Sequence, residues 1–600
     1  MGVAMSTLAP PIGRERSVSL RVGAWTDALA VSGLVLMSAL MVVLTWNTWG
    51  DPSSDTGYDL VAGARLADGE LPYRDYIYYY GPLAPAVVAA AFVVGGSGIG
   101  SSVALGLTLA IAIVALTYVL ARMLSGSLGA FLAAAITAPV AFAPSNFSFV
   151  IPHSYSATLG ILGTLVFLLG IARYAVAGRA AWLVAAGTSA GLVALTRPEF
   201  VAAVAVAGAL WLTLQARVRS NARRELLLLA LPALAIPLAV YGALLAVVSP
   251  RRLVLENLYP VDTLEAGGNA ILSLHAPLTF SSFAELGLKL VLYAAGAGAL
   301  LLLARGLEPG RRMRRLALGA TVIGAGAVAL ASLTRPETLR YGLEFAYGWI
   351  PAGAAVGAIV LVWRLIRRRV WTPKAQLQLA AVAVLTVLAA KTYAAFLVHA
   401  SVPQIAAYAV PFAALFLVSL HLDVLARTRV ALGLGAVWLA FLAAAGAGLT
   451  WKDARAESEA IAGPGGTLAA TAEQAPAYDA ALAWLVDNTA PGERVLAAPQ
   501  LTWMYTLAKR EAPLEQLSLH PGALPTVDDE RSAIERLETA GVRVVILDRR
   551  SFPEYGQSSF GNSFNRTLAG WIRGSFTRVA TFGSGAPGSP ALEGWLRRNA

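Results

Sequence analysis

Apolar runs of about 18 or more residues, nearly free of charge, recur through the first three quarters of the chain. Each is long enough for a helix to cross a bilayer. They fall near 25–46, 101–122, 127–143, 156–175, 179–196, 199–216, 225–247, 286–305, 315–333, 342–364, 376–396, 404–422 and 430–449. The pattern predicts a polytopic α-helical membrane protein of about thirteen transmembrane helices. A shorter apolar run, "LAPAVVAAAFVVGGS" at 83–97, ends in glycines. It is too short to cross comfortably and is expected to lie at the outer interface as a juxtamembrane helix.

Beyond Thr450 the pattern changes. Charged residues and the glycine-proline stretch "AGPGGT" lead into "AYDAALAWLVDNTAPGERVLAAP" and then "SAIERLETAGVRVVILDRR". Both read as an amphipathic helix, a turn and a buried strand. A transmembrane domain over 1–450 is therefore expected, followed by a small α/β domain over 451–600 whose order suggests a parallel sheet.

Composition agrees with the membrane class. Hydrophobic residues make up 57% of 600 and charged ones 14%, with a mean hydropathy of +0.64. The net charge of +11 is not a nucleic-acid signature. The arginine clusters at Arg14/Arg16/Arg21, Arg122, Arg173/Arg179, Arg217–Arg224, Arg305–Arg315, Arg364–Lys374 and Arg427/Arg429 all fall on one side of the predicted path, which assigns that side to the cytoplasm. The expectation is an inner-membrane protein with a cytoplasmic amino terminus and an extracytoplasmic carboxyl terminus. Counting 83–97 as a span would invert every later cluster. The absence of cysteine excludes disulfides and thiolate metal sites, and five scattered histidines argue against a zinc site.

The carboxylates gather in one place. "SSDTGYDLVAGARLADGELPYRDYIYYYGPLAPAV", Ser53 to Val87, lies in the first outer loop (47–100) and joins acidic residues to six tyrosines. Its helical spacing predicts a short helix running from Tyr58 to a glycine cap at Gly69. Asp55 would stand just before the N-terminus, where a carboxylate is favoured as a cap. Tyr73, Tyr76 and Tyr78 to Tyr80 suit stacking on sugar rings or an interfacial aromatic belt.

The sequence D-x-G-Y-x-x-x-A-x-x-R-L-x-x-G-x-x-P-Y-R-D, followed by an apolar helix, resembles the first outer loop of GT-C membrane glycosyltransferases, a group that includes protein O-mannosyltransferases and the lipid A aminoarabinose transferase. The resemblance implies a GT-C-like fold with an outward active site. It also implies transfer of a sugar from a polyprenyl-phosphate donor to a glycan, lipid or protein acceptor. Asp55 matches the loop aspartate taken as catalytic, and Thr56 stands where relatives often have a second acid. Arg74, Asp75 and Tyr80 fall within the matching loop as substrate-binding candidates. His153, in "IPHSY", stands where relatives put an acid at the mouth of a later span. A single carboxylate suffices as base because phosphate is already a competent leaving group.

The leaving phosphate needs cations at the outer membrane edge. Arg197 with Glu199, and Arg335 with Arg340, lie in outer turns; the pentapeptide "LTRPE" occurs at 195–199 and again at 333–337. Arg251 and Arg252 open the long outer loop at 248–285, which reads as a lid. Each "TRPE" copy also reads as a local Arg–Glu pair, and Lys391 as a snorkelling side chain. No cofactor is expected. A divalent ion near Asp51 and Asp55 fits the chemistry, but no ligand spacing demands one. The alternatives are an arabinofuranosyl-type transferase, a transporter or flippase of lipid-linked saccharides, and an inactive binding scaffold. The gathering of charge at the outer edge, with no span-level repeat, favours the enzyme.

Overall fold

A computed structural model of the chain describes residues 24–600, except 54–55, 145–147, 219–220, 259, most of 261–349, 369–371, 397–401, 426–445, 553–554, 586–588 and 599–600. Asp55, Arg340 and the expected spans at 286–305, 315–333 and 430–449, in whole or large part, lie outside the described residues.

The membrane part begins with α1 (Ala24–Leu44), then α2 (Tyr58–Ala67), α3 (Leu83–Gly95), α4 (Ile99–Ala141), α5 (Tyr155–Ala177), α6 (Ala180–Val193), α7 (Pro198–Val218) and α8 (Ala222–Leu245). A single turn, α9 (Pro250–Leu253), precedes α10 (Ile350–Arg368), α11 (Pro373–Phe396) and α12 (Val402–Leu425). Among the described residues six helices are long and apolar enough to cross a membrane; α3, α6 and a stretch of α12 are shorter apolar helices. The expected span at 179–196 is thus a helix of only 14 residues. The expected pair at 101–122 and 127–143 is one 43-residue helix broken at Gly126, whose φ of 76° leaves the helical region.

Polar contacts join helix ends that the arginine pattern assigned to one side. Asp27 of α1 pairs with Arg122 of α4 at 2.9 Å. Tyr174 of α5 donates to Glu225 of α8 at 2.6 Å, and Gln215 of α7 donates to Gln376 of α11 at 2.6 Å.

From residue 459 the chain is α/β. A hairpin of β1 (Glu459–Gly463) and β2 (Gly466–Ala470) precedes α13 (Ala475–Asp487), β3 (Leu496–Ala498), α14 (Thr502–Ala508), α15 (Val527–Thr539), β4 (Val544–Asp548), α16 (Arg566–Ser575), β5 (Phe576–Phe582) and β6 (Leu592–Arg597). The sheet order is β3-β4-β6-β5. Only β3 and β4 run parallel; β6 is antiparallel to both of its neighbours. The expectation of a parallel sheet is corrected to a mixed one. It extended the order of the first two helix–strand units to the end of the chain, where β5 and β6 instead follow one another as an antiparallel pair. Alternate residues of β4 enter different cores: Val544 and Ile546 join the one shared with the membrane part, while Val545 and Leu547 join a second core beneath α15 and α16.

Candidate functional site at the first outer loop

The loop helix forms where the spacing predicts it. Its N-cap is Gly57, with φ of 105° and no side-chain cap; Asp55, expected to cap this end, lies outside the described residues. Glycine is required there because a Cβ on Gly57 would meet the backbone nitrogen of Trp503, in α14, at 2.4 Å. Helix α2 crosses α3 closely, and a Cβ on Gly63 would lie 2.4 Å from Val88.

On the buried face of α2 sits Asp59, 5% exposed. Its Oδ1 accepts from the Tyr78 hydroxyl and its Oδ2 from the backbone N–H of Tyr155, both at 2.5 Å. Tyr155 is the first residue of α5, whose own N-cap Ser154 makes no side-chain cap. Asp59 therefore caps α5 from another helix, where the helix dipole favours a negative charge. Burial pushes its carboxyl up to about 6, although the Tyr78 hydroxyl, the Tyr155 and Ser156 N–H groups and the field of Arg197 all pull it down.

The "YYYGP" segment continues this frame. Gly81 and Leu83 donate their N–H groups to the carbonyls of Thr196 and Leu195, at 2.9 and 3.0 Å. A Cβ on Gly81 would stand 2.3 Å from the Leu195 carbonyl, so only glycine allows the two segments to meet. The contact brings Arg197 beneath Tyr80. Its guanidinium carbon lies 4.4 Å from the centre of the Tyr80 ring and 5.8 Å from that of Tyr408, in α12. Glu199 stands 3.0 Å from its Nε, but off the N–H direction, so Nε and Nη1 are buried without a hydrogen bond. The Arg197 side chain is 13% exposed.

Of the sequence candidates, Tyr80, Arg197 and Glu199 come together, and His153 lies two residues before the α5 terminus that Asp59 caps. Others lie elsewhere. Arg74 pairs with Asp75 at 2.6 Å, Asp75 also receives the Leu71 N–H, and Arg74 is exposed. Arg251 and Arg335 are exposed. Tyr73, Tyr76 and Tyr78 are fully buried, so neither sugar stacking nor an interfacial belt describes them. Their hydroxyls instead donate to the Tyr80 carbonyl, the Ala62 carbonyl and Asp59. Thr56, in the place of a second acid, is buried, and its hydroxyl receives the Asp51 N–H. Among the described residues no three histidine or acidic side chains converge as metal ligands.

Sequence reasoning missed the grip of the carboxy-terminal unit on this loop. Arg65 donates to the Leu514 carbonyl at 2.6 Å, and Ile77 donates its N–H to the Glu515 carbonyl at 2.8 Å. Arg252 donates to the carbonyls of Tyr73 and Arg74 while pairing with Glu515 at 3.0 Å. Thr502 donates to the Thr56 carbonyl, and Arg550 to that of Ser53. The residues immediately flanking 54–55 are thus both held from the far end of the chain. Arg252 was visible beside Arg251 as an outer arginine; its partners carried no signal.

No family model matches the chain, and no curated protein matches it. Among solved structures it is similar to the oligosaccharyltransferase of Archaeoglobus fulgidus, in a complex with zinc and sulfate, at 15% identity and a TM-score of 0.48, covering 94% of this chain and 73% of that one. The same enzyme tethered to an acceptor peptide containing the NVT sequon gives 16% and 0.47, over 95% and 74%. ArnT from Cupriavidus metallidurans bound to undecaprenyl phosphate gives 14% and 0.44, over 94% and 97%. At TM-scores below 0.5 these likenesses assign neither a role nor a ligand to any residue.

Proposed function

We propose that this chain is a membrane glycosyltransferase that moves a sugar from a polyprenyl-phosphate donor to an acceptor hydroxyl on the outer face. The observation that carries the reading is Arg197. The guanidinium is held between two tyrosine rings with the Glu199 carboxylate 3.0 Å from Nε, yet neither Nε nor Nη1 is hydrogen-bonded. Glu199 balances the charge without satisfying these donors, and a further anion would complete them. It stands at the end of the bundle where the acidic loop is anchored through Gly81. A phosphate of the donor is the anion that this place and chemistry suit, and its planar fork matches phosphate oxygens in pairs.

In the transfer, a carboxylate takes the acceptor hydroxyl proton as its oxygen attacks the anomeric carbon. The bond from that carbon to the phosphate oxygen breaks, and the leaving phosphate carries away the electron pair against Arg197. Asp55 is the base in this reading. It is supported by the loop resemblance and by the anchoring of its neighbours Ser53 and Thr56. Asp59 is given a positioning role instead, holding α5 against α2, because it is buried and each of its oxygens already accepts a hydrogen bond. The arginine distribution supports placing the loop on the extracytoplasmic side.

The test is direct. Purified protein is given a polyprenyl-phosphate sugar in detergent, and released polyprenyl phosphate is measured. Release that depends on Asp55 and Arg197 supports the reading. Movement of intact lipid-linked sugar across a vesicle membrane, without release, would support a flippase and overturn it.

A further inference from the structure

The carboxy-terminal sheet has a second side, turned away from the loop. Asp548 and Arg550, at the end of β4, face the first outer loop: Arg550 donates to Ser53. Leu547 and Arg549 alternate with them and belong to the opposite face. Strand register adds to that face. Glu593 is the partner of Leu547, Trp595 of Val545, and Arg578 of Trp595, and cross-strand partners share a side. Helix α16 lies over it and contributes Ala569 and Arg573. Together these residues line an open recess of about 170 Å³.

Its chemistry is specific. Three guanidinium groups face one carboxylate, leaving a surplus of two positive charges. Glu593 is already committed: Arg578 pairs with it at 2.9 Å and the Trp595 indole N–H donates to it at 3.2 Å. That fixes the indole and one arginine in place. Among the described residues, Arg549 has a hydrogen bond to the Phe560 carbonyl, and neither it nor Arg573 has a carboxylate partner. The rest of the lining is apolar, from Leu547, Ala569 and the Trp595 ring. A cavity of ~150 Å³ accommodates a six-membered ring.

We propose that this recess is a binding site for a pyranose carrying a carboxylate, such as a uronic acid residue. The Trp595 ring takes the C–H face of the sugar, while Arg549 and Arg573 receive the carboxylate. A bare inorganic anion would leave the apolar lining unused. The site lies on the sheet face opposite the transfer loop and does not rest on the transfer reading, because binding is measured without a donor lipid.

The experiment uses the full chain in detergent with three probes: glucuronic acid, methyl glucoside and inorganic phosphate. Calorimetry gives affinities, and saturation-transfer NMR shows which sugar protons touch the protein. The expected result is binding of glucuronic acid at least tenfold tighter than either other probe. It should weaken at least tenfold in Arg573→Gln, an exposed change that leaves every described contact of the core intact. Trp595→Leu should remove saturation of the ring protons. Arg549→Gln should act like Arg573→Gln, and circular dichroism of both variants separates lost binding from lost folding. Phosphate binding as tight as glucuronic acid would overturn the sugar assignment. Glucuronic acid binding that is absent, or unchanged in Arg573→Gln, would overturn the site.

Discussion

The pentapeptide "LTRPE" occurs twice, and the two copies live in different surroundings. In the first, Thr196 is buried and Arg197 lies under Tyr80, with Pro198 opening α7. In the second, Thr334 is exposed, still in helix, and donates to the Leu330 carbonyl, while Arg335 stands exposed after it. Thr196 thus sits in a turn after a helix, whereas Thr334 is itself helical. What differs is the chain that meets them. Gly81 and Leu83 bond to the first copy from the outer loop. Local sequence put an Arg–Glu pair at 195–199, and the distant loop made its arginine a buried cation.

The strongest test of this contrast is the loop that approaches the first copy. If Asp55 is the base that works beside Arg197, Asp55→Asn keeps the shape and removes the basicity. Transfer should then fall by about two to four powers of ten with folding intact, measured as release of polyprenyl phosphate. Normal turnover in this variant would move the base elsewhere.

Next in size is the arginine itself. In the proposed transfer Arg197→Ala removes the buried cation assigned to the leaving phosphate, and the expected loss is about a hundredfold in turnover, in the range for truncating a buried charge-assisted partner. Arg335→Ala, the same change in the exposed copy, should stay within about twofold, as surface changes usually do. Equal losses in the two would remove the distinction between the copies.

Some of this was legible in sequence and some was not. The loop helix, the helix over 83–97 and the break between 122 and 127 follow from spacing and glycine, and they appear as α2, α3 and the kink at Gly126. Period and caps act over a few residues, so a reader of the chain can see them. Asp59 shows the other case. Its place one turn along an amphipathic helix says nothing of the α5 terminus 96 residues on, which its carboxylate caps. Arg65 likewise finds its carbonyl partner 449 residues away. The carboxy-terminal strands could be read singly, but the return of β6 between β4 and β5 depends on pairing that no single segment encodes.

A steric test comes third. Gly81→Ala places a methyl group 2.3 Å from the Leu195 carbonyl. Loop and turn must then separate, at about 1 to 3 kcal/mol of stability, as for other overpacked sites. A lower unfolding midpoint together with reduced transfer is expected. Gly100→Ala on α4, where a Cβ meets nothing, serves as the control and should change neither.

The last test is a slope of stability with pH, which leaves turnover aside and reads the framing carboxylate. The Asp59 carboxyl is pushed up to about 6 in the folded chain by burial, whereas an unfolded aspartate titrates near 4. Between these values the folded state holds a proton that the unfolded state has lost, so stability falls as pH rises through the window. Below it both states are protonated, and above it both are ionised. A shift of about two pH units corresponds to about 3 kcal/mol across the window. Asp59→Asn cannot ionise, so it should flatten that part of the curve while retaining an oxygen for the Tyr155 N–H. Glu457, pushed up to about 8 by burial and by Asp51 and Asp453, adds a slope of the same sign between about 4.5 and 8. Glu457→Gln should flatten the curve between about pH 6 and 8 and lessen, without removing, the slope below pH 6. Thermal unfolding of the three proteins from pH 4 to pH 8 checks both. An Asp59→Asn curve that keeps the wild-type slope below pH 6 would mean that the carboxylate is ionised in its buried place, with the α5 terminus and Arg197 outweighing the burial.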